Sequence, residues 1–160
     1  MFIPVKKSDN KNENYQTLLE TLPYYINKSD PWFVTLSNTS ALLDYFLDDI
    51  NWVGFYVWHD DRLYLGPFQG KPACTEIKLG QGVVGTCALE KTSIVVKDVS
   101  CFKGHITCDQ DSKSEIVIPI LIDDHVFAVL DIDSPILNRF DEADKAGLEK
   151  LARVLVDNLS

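Results

Sequence analysis

The segment that most constrains the fold is residues 51–58, which read NWVGFYVW and are apolar at almost every position. A strand with one face in solvent alternates apolar and polar residues, whereas this segment presents aromatic or aliphatic side chains to both faces. It therefore predicts a central strand that is covered on both sides. Residues 59–62 predict a turn, and residues 63–65 predict the returning strand of a hairpin.

A second hairpin is predicted later in the chain. Residues 115–121 and 126–132 are strongly apolar, and the segment Asp-Asp-His at 123–125 joins them. Shorter apolar segments at 73–79 and 93–96 predict two further strands. Hairpins between consecutive strands indicate a sheet that is mostly antiparallel.

Helices near both ends of the chain can supply the cover that such a sheet needs. Helical spacing of apolar residues predicts a first helix that ends near Pro23. A second helix is predicted to begin with Asp30 as N-cap and Pro31 as its first residue, and the last helix begins at Asp141. The buried faces are marked by Tyr15, Leu18, Leu19 and Leu22 in the first helix and by Leu148, Leu151, Leu155 and Leu159 in the last. We therefore expect an α+β fold whose terminal helices cover the sheet.

Three connecting segments differ in their predicted roles. Residues 66–72 are rich in glycine and proline and predict a loop. Residues 80–86, GQGVVGT, match the spacing of a dinucleotide-binding fingerprint, but no βαβ unit surrounds them, so a tight turn into a short helix at 84–90 is favoured. Residues 98–114 predict a long polar loop, and such loops inside compact domains are usually functional.

Composition limits the classes of partner. A chain of 160 residues with 46% hydrophobic content fits one domain, which we place at 13–160 after a loosely held tail at 1–12. The formal net charge of −9 disfavours nucleic acid and anionic membrane surfaces. Neither a signal segment nor a membrane span is recognisable, so we expect a cytoplasmic location.

The four cysteines are candidates for redox chemistry or metal binding, because stable disulfides are rare in a reducing cytosol. Cys108 lies on the long polar loop and Cys74 ends the Gly/Pro loop, so the two can meet only if both loops fold over one site. Cys87 lies in the short helix and is predicted to be a core thiol, while Cys101 fits either role. A zinc site formed by Cys101, His105 and Cys108, with Cys74 as fourth ligand, is the less favoured alternative.

Three carboxylates are predicted to share one end of the sheet. Strand alternation puts Asp131 and Asp133 on one face, and hairpin pairing brings Glu115 beside them. Mutual repulsion should raise at least one pKa, so the cluster could bind an ammonium group or donate a proton. A solvated strand end is the alternative interpretation.

Five longer motifs occur in order along the chain. They are WVGFY at 52–56, LGPFQGKPAC at 65–74, GHITCD at 104–109, SEIVIP at 114–119 and LDIDSP at 130–135. Together they strongly resemble the free methionine-(R)-sulfoxide reductases, small single-domain enzymes of the GAF fold, from about Thr35 to the last helix. The resemblance implies a central antiparallel sheet of about six strands, with the N- and C-terminal helices packed together on one face.

The resemblance also implies a reaction. The Cys108 thiolate attacks the sulfoxide sulfur of free methionine-(R)-sulfoxide, methionine leaves, and a cysteine sulfenic acid remains. Cys74 condenses with this sulfenic acid to form a disulfide, which thioredoxin reduces. The cycle implies neither a bound cofactor nor a metal.

The resemblance further implies how the substrate is held. The family's substrate-binding carboxylates correspond to Glu115, Asp131 and Asp133. The family's aromatic pocket for the methyl end of the substrate corresponds to Trp52 and Tyr56. One neutral carboxylic acid would help to protonate the sulfoxide oxygen, and another carboxylate would hold the ammonium group.

One position departs from the family pattern. Many members carry a second resolving cysteine in the glycine turn, where this chain has Val84. Cys74 alone is then expected to resolve Cys108. The alternative function is a non-catalytic GAF module that binds a ligand or acts as a thiol redox sensor, and a homodimer is compatible with either function.

Overall fold

The computed structural model describes residues 2–105 and 108–160. Besides two single-turn 3-10 helices at Leu22–Tyr24 and Val99–Cys101, these residues form four α-helices and six strands: α1 Lys11–Thr21, α2 Trp32–Phe46, β1 Trp52–His59, β2 Arg62–Gly70, β3 Glu76–Lys78, α3 Gly82–Glu90, β4 Ile94–Val96, β5 Ser114–Ile122, β6 His125–Ser134 and α4 Glu142–Leu159. The strands form one sheet in the order β3-β2-β1-β6-β5-β4, and all neighbours are antiparallel. The α+β prediction and the predicted antiparallel sheet are confirmed.

Strand β1 lies inside the sheet and is buried on both faces, as its sequence predicts. Val53 and Phe55 belong to a core that they share with α1, α2 and α4. Trp52 and Tyr56 point to the opposite face and pack with residues of α3, β2 and β3. One strand therefore forms part of the wall of two separate apolar clusters.

The first and last helices pack together on one face of the sheet around a buried carboxylate. Asp144 is fully buried in α4 and accepts hydrogen bonds from the Tyr15 hydroxyl at 2.8 Å and from Lys11 Nζ at 2.6 Å. The Asp141 side chain caps α4, and the Asp144 carboxylate accepts a hydrogen bond from the Asp141 backbone N–H. These bonds fix α1 on α4, because the buried carboxylate is stabilised only while its donors stay in place.

The predicted loop at 66–72 is mostly strand, which corrects the sequence interpretation. Strand β2 continues to Gly70, and its register on β1 shifts between Gly54 and Tyr56. Pro67 falls in this irregularity, and β3 pairs only with residues 62–64, so no ladder bond requires an N–H from Pro67. Glycine and proline therefore mark a bulged edge segment rather than a loop.

Smaller corrections concern where elements begin. The N-cap of α2 is Pro31, without a side-chain cap, so Asp30 does not cap this helix. The strand predicted at 73–79 is limited to β3, and α3 begins at Gly82 rather than at residue 84. A Cβ on Gly85 would overlap the Lys78 carbonyl, so this glycine is required for packing.

Candidate active site

The candidate site is a cavity on the α3 side of the sheet. The ends of β1, β5 and β6 form its floor, α3 forms one wall, and the two cysteine-bearing loops close over it. All five non-cysteine residues predicted for the site, Trp52, Tyr56, Glu115, Asp131 and Asp133, line this cavity together with Cys108.

The two predicted redox cysteines are joined. Cys74 and Cys108 form a disulfide with a Cα–Cα distance of 5.7 Å, although they lie 34 positions apart in the chain. The two loops therefore do fold over one site. Cys87 is free and buried, as predicted for a core thiol, and burial raises its pKa far above the ordinary value. Cys101 is free and exposed.

In the disulfide form, Cys74 and Cys108 cannot serve as ligands of the alternative zinc site. Cys74 and Cys108 would each have to ligate the metal as a thiolate, and both sulfurs are used in the bond. Among the described residues, the group of His, Cys, Asp and Glu side chains close enough to hold a metal ion consists of Glu115, Asp131 and Asp133.

The three carboxylates meet as predicted from the hairpin. Glu115 pairs with Asp133 across β5 and β6, and Asp131 lies two residues before Asp133 on the same face. One oxygen from each lies within 4.8 Å of the others. Glu115 and Asp131 are buried, Asp133 is partly buried, and Asp131 Oδ1 accepts no hydrogen bond from the described residues.

This crowding changes how the carboxylates titrate. Burial raises the pKa of Glu115, and the charge of Asp133 raises it further. Burial also raises the pKa values of Asp131 and Asp133, with additional increases from their acidic neighbours. The cluster therefore retains protons at pH values where isolated carboxylic acids are ionised.

A histidine borders the cluster without neutralising it. His105 Nε2 lies 3.5 Å from Glu115 Oε2, and the side chain lines the cavity. Burial lowers the pKa of His105, so the neutral imidazole is favoured near pH 7. Sequence reasoning considered His105 only as a zinc ligand and did not predict this contact.

An aromatic wall adjoins the acidic cluster, since Trp52 pairs with Asp133 across β1 and β6. The Trp52 ring stacks on Phe68 at 5.4 Å and lies 6.0 Å from the Tyr56 ring. The Trp52 indole N–H donates to the Lys71 carbonyl at 3.1 Å, and the Tyr56 hydroxyl donates to the Cys74 carbonyl at 3.1 Å. The same two aromatic residues thus line the cavity and hold the segment that carries Cys74.

Comparisons with known proteins identify the family of the chain. Residues 29–157 match the model of the GAF domain. The chain is 45% identical to the free methionine-R-sulfoxide reductase of Escherichia coli over 91% of this chain and 88% of the relative. The chain belongs to this family. The solved structure of fRMsr of Staphylococcus aureus in its reduced form is 45% identical, with a TM-score of 0.89 over 99% of this chain and 100% of that one.

A further solved structure holds a ligand. The free methionine-R-sulfoxide reductase of Neisseria meningitidis, in complex with its substrate, is 36% identical to this chain. Its TM-score is 0.92, with 99% of this chain and 95% of that chain covered. The fold expected from the resemblance is therefore confirmed.

Within this reductase family, the position that departs from the expected pattern lies in the cavity wall. Val84 is buried in α3 and lines the cavity. Cys87 is one helical turn further along the same helix. It packs in the apolar cluster of α3 and the sheet and does not line the cavity. The structure thus offers Cys74 as the sulfur bonded to Cys108, and it places no sulfur at residue 84.

Sequence reasoning missed a polar network around the loops. Asn51 Nδ2 donates to Asp109 Oδ2 at 3.2 Å and to Ser112 Oγ at 3.0 Å. Lys71 contacts Asp109 and pairs closely with Asp111. Lys71 and Asp109 both lie inside the motifs that carry the family resemblance, and this was the one signal in the sequence that could have drawn attention to them. Their partners are set by the geometry of the loops.

In the described residues, no helix is long and apolar enough to cross a membrane.

Proposed function

We propose that the protein reduces free methionine-(R)-sulfoxide to methionine and that Cys108 is the attacking residue. The observation that carries the proposal is the Cys74–Cys108 disulfide, which borders a cavity lined by three crowded carboxylates and an aromatic wall. Family membership and the substrate complex of a relative support the same reaction. The disulfide corresponds to the oxidised end of the catalytic cycle.

In the first step, the Cys108 thiolate attacks the sulfoxide sulfur while the sulfoxide oxygen takes up a proton. The new S–S bond and the S–O bond then break as the hydroxyl group bonds to the Cys108 sulfur, so methionine leaves and Cys108 becomes a sulfenic acid. The Cys108 side chain is exposed to solvent, which suits a nucleophile that must meet a diffusing substrate. Trp52 and Tyr56 supply the apolar surface for the methyl end of the substrate.

The carboxylate cluster serves two purposes in this proposal. Three carboxylates this close cannot all be ionised, and an incoming ammonium group neutralises one negative charge. At least one other member of the cluster remains protonated and can donate to the sulfoxide oxygen. The unpartnered oxygen of Asp131 is a natural acceptor for the ammonium, because a buried acceptor gains most from a charged donor.

In the second half of the cycle, the Cys74 thiolate attacks the Cys108 sulfur and water is released. Thioredoxin then reduces the disulfide by thiol–disulfide exchange in a reducing cytoplasm. No organic cofactor enters this sequence, because all electrons pass through sulfur. Cys74 is only partly exposed, whereas Cys108 is exposed, so we expect the external thiolate to reach Cys108 more readily.

The test couples NADPH oxidation to thioredoxin reductase, thioredoxin and the free R-sulfoxide. Cys108→Ser should abolish turnover, and Cys74→Ser should release one equivalent of methionine and then recycle slowly. Cys101→Ser is the matched control, since this exposed cysteine is not bonded. Full activity of Cys108→Ser would overturn the assignment of the attacking residue.

A blocked substrate tests the role of the carboxylates. N-acetyl-methionine sulfoxide lacks the ammonium group, so it should react far more slowly than the free amino acid. Equal rates for the two compounds would contradict ammonium binding by the cluster. A protein that forms the disulfide with peroxide but never releases methionine would instead support the thiol redox-sensor alternative.

A further inference from the structure

One ion-pair cluster joins the two loops that carry the redox cysteines. Lys71 precedes Cys74 by three residues, and Asp109 and Asp111 follow Cys108 by one and three residues. Lys71 Nζ lies 3.5 Å from Asp109 Oδ1 and forms a closer ion pair with the Asp111 carboxylate. The contact therefore spans the same gap as the disulfide.

Both sides of this cluster are anchored to β1 and to the residue before it. On one side, the Trp52 indole N–H donates a hydrogen bond to the Lys71 carbonyl. On the other side, the Asn51 side-chain amide donates a hydrogen bond to the Asp109 carboxylate. The Asp111 backbone N–H donates to the same carboxylate at 3.0 Å. None of these bonds involves a sulfur atom, so the cluster is a second link between the two loops beside the disulfide.

The positive charge of Lys71 also offsets repulsion between carboxylates at the mouth of the cavity. The charge of Asp109 contributes to the raised pKa of Asp133, which places this loop within the field of the buried acidic cluster. Without a nearby cation, Asp109 and Asp111 would repel one another and the cluster below. Lys71 is positioned to offset this repulsion, although more than half of its side chain is exposed.

We propose that Lys71 is a positioning residue for disulfide formation. By holding the Asp109–Asp111 segment, it keeps Cys74 within reach of Cys108 after the first step, when the sulfur of Cys108 carries a hydroxyl group. The Cys74 thiolate then forms the S–S bond while hydroxide leaves and takes up a proton as water. This inference rests on the proposed function for its oxidant, methionine sulfoxide, but the effect on loop proximity exists without any substrate.

The first experiment measures that proximity directly. The full-length protein is equilibrated in glutathione redox buffers without sulfoxide, and the fraction of disulfide is read by thiol alkylation and mass spectrometry. Lys71→Met should lower the equilibrium constant for the Cys74–Cys108 disulfide roughly two- to fivefold, as expected for an ion pair whose two side chains are mostly exposed. Lys71→Arg should retain the wild-type constant, and the exposed Lys97→Met controls for loss of one positive charge.

A double-mutant cycle and salt identify the partner. Lys71→Met combined with Asp111→Asn should lose less than the sum of the two single changes, because both remove the Lys71–Asp111 ion pair. High salt should move the wild-type constant toward that of Lys71→Met and leave Lys71→Met almost unchanged. An unchanged constant in Lys71→Met, or full additivity in the double variant, would overturn the inference even if the reductase activity proves correct.

The second experiment separates the two catalytic steps. Reduced protein is mixed with one equivalent of the free R-sulfoxide, and methionine release and disulfide formation are followed in the same samples. Lys71→Met should lower the rate of disulfide formation relative to methionine release and should increase trapping of the sulfenic acid by dimedone. An unchanged ratio of the two rates would contradict a positioning role, whereas absence of methionine release would refute the proposed function and leave the glutathione result standing.

Discussion

Reduction of the Cys74–Cys108 disulfide should lower the folding stability of the protein by a predictable amount. The bond closes a loop between residues 34 positions apart, and the chain-entropy relation for such a loop gives ~3.8 kcal/mol at 25 °C. For a protein of this size, that difference corresponds to a fall in Tm of roughly 8–15 °C. The physical cause is the unfolded chain, which gains freedom when the link is removed.

The same quantity describes how the fold promotes the disulfide. A thermodynamic cycle connects oxidation and folding, so a stabilisation of ~3.8 kcal/mol means that folding favours disulfide formation roughly 600-fold. The cysteines come from distant parts of the chain, so the unfolded state rarely brings them together. In the folded protein, the Cα atoms of the two cysteines lie 5.7 Å apart.

The assay is urea unfolding of the oxidised protein and of the same protein in excess dithiothreitol. Cys74→Ser and Cys108→Ser are the controls, and both should unfold like the reduced protein with or without dithiothreitol. The difference in free energy of unfolding should be about 3–4 kcal/mol. A difference below about 1 kcal/mol would refute the reasoning, because it would mean that the reduced loops separate or that the bond strains the folded state.

Two further predictions concern stability away from the sulfur atoms. Asp131→Asn should stabilise the protein at pH 8 but not at pH 4. Burial and the charge of Glu115 raise the pKa of Asp131 on folding, so the folded state binds more protons than the unfolded state. The stability of the wild-type protein therefore falls as the pH rises from the unfolded to the folded pKa of Asp131. Each unit of raised pKa is worth about 1.4 kcal/mol, and urea unfolding across pH would contradict the reasoning if the variant and wild type stayed parallel. Gly147→Ala should destabilise by about 1–3 kcal/mol, because the added methyl group overlaps the Tyr15 ring, although alanine ordinarily favours a helix. The exposed Ala146→Gly on the same helix is the control, with an expected loss of about 1 kcal/mol, and a stabilised Gly147→Ala would show that Tyr15 can move.

Much of the site followed from local patterns in the sequence. Alternation along β6 put Asp131 and Asp133 on one face, and hairpin pairing added Glu115, because strand geometry has a strict period. The same period put Trp52 and Tyr56 together on β1. The individual positions of these five residues were thus accessible to physical reasoning, while their roles came from the family resemblance.

The parts that escaped prediction depend on tertiary geometry. Nothing in the local sequence shows that β2 continues through Pro67, since the missing N–H is tolerated only because of the bulge and the short neighbouring strand. Lys71 and Asp111 are 40 positions apart, and charged side chains in polar loops have many potential partners. The disulfide pairing was expected from the resemblance alone, because spacing does not determine which cysteines meet.

The double burial of β1 limits how this protein can diversify in evolution. An insertion or deletion that shifts the register of the whole strand by one residue would turn Val53 and Phe55 toward the cavity and Trp52 and Tyr56 toward the helices. The core and the site would be lost in a single event, so selection can alter this strand by substitution but hardly by changes in length. New substrate preferences are therefore expected to arise from changes in the length and sequence of the two cysteine-bearing loops, where no such register must be kept.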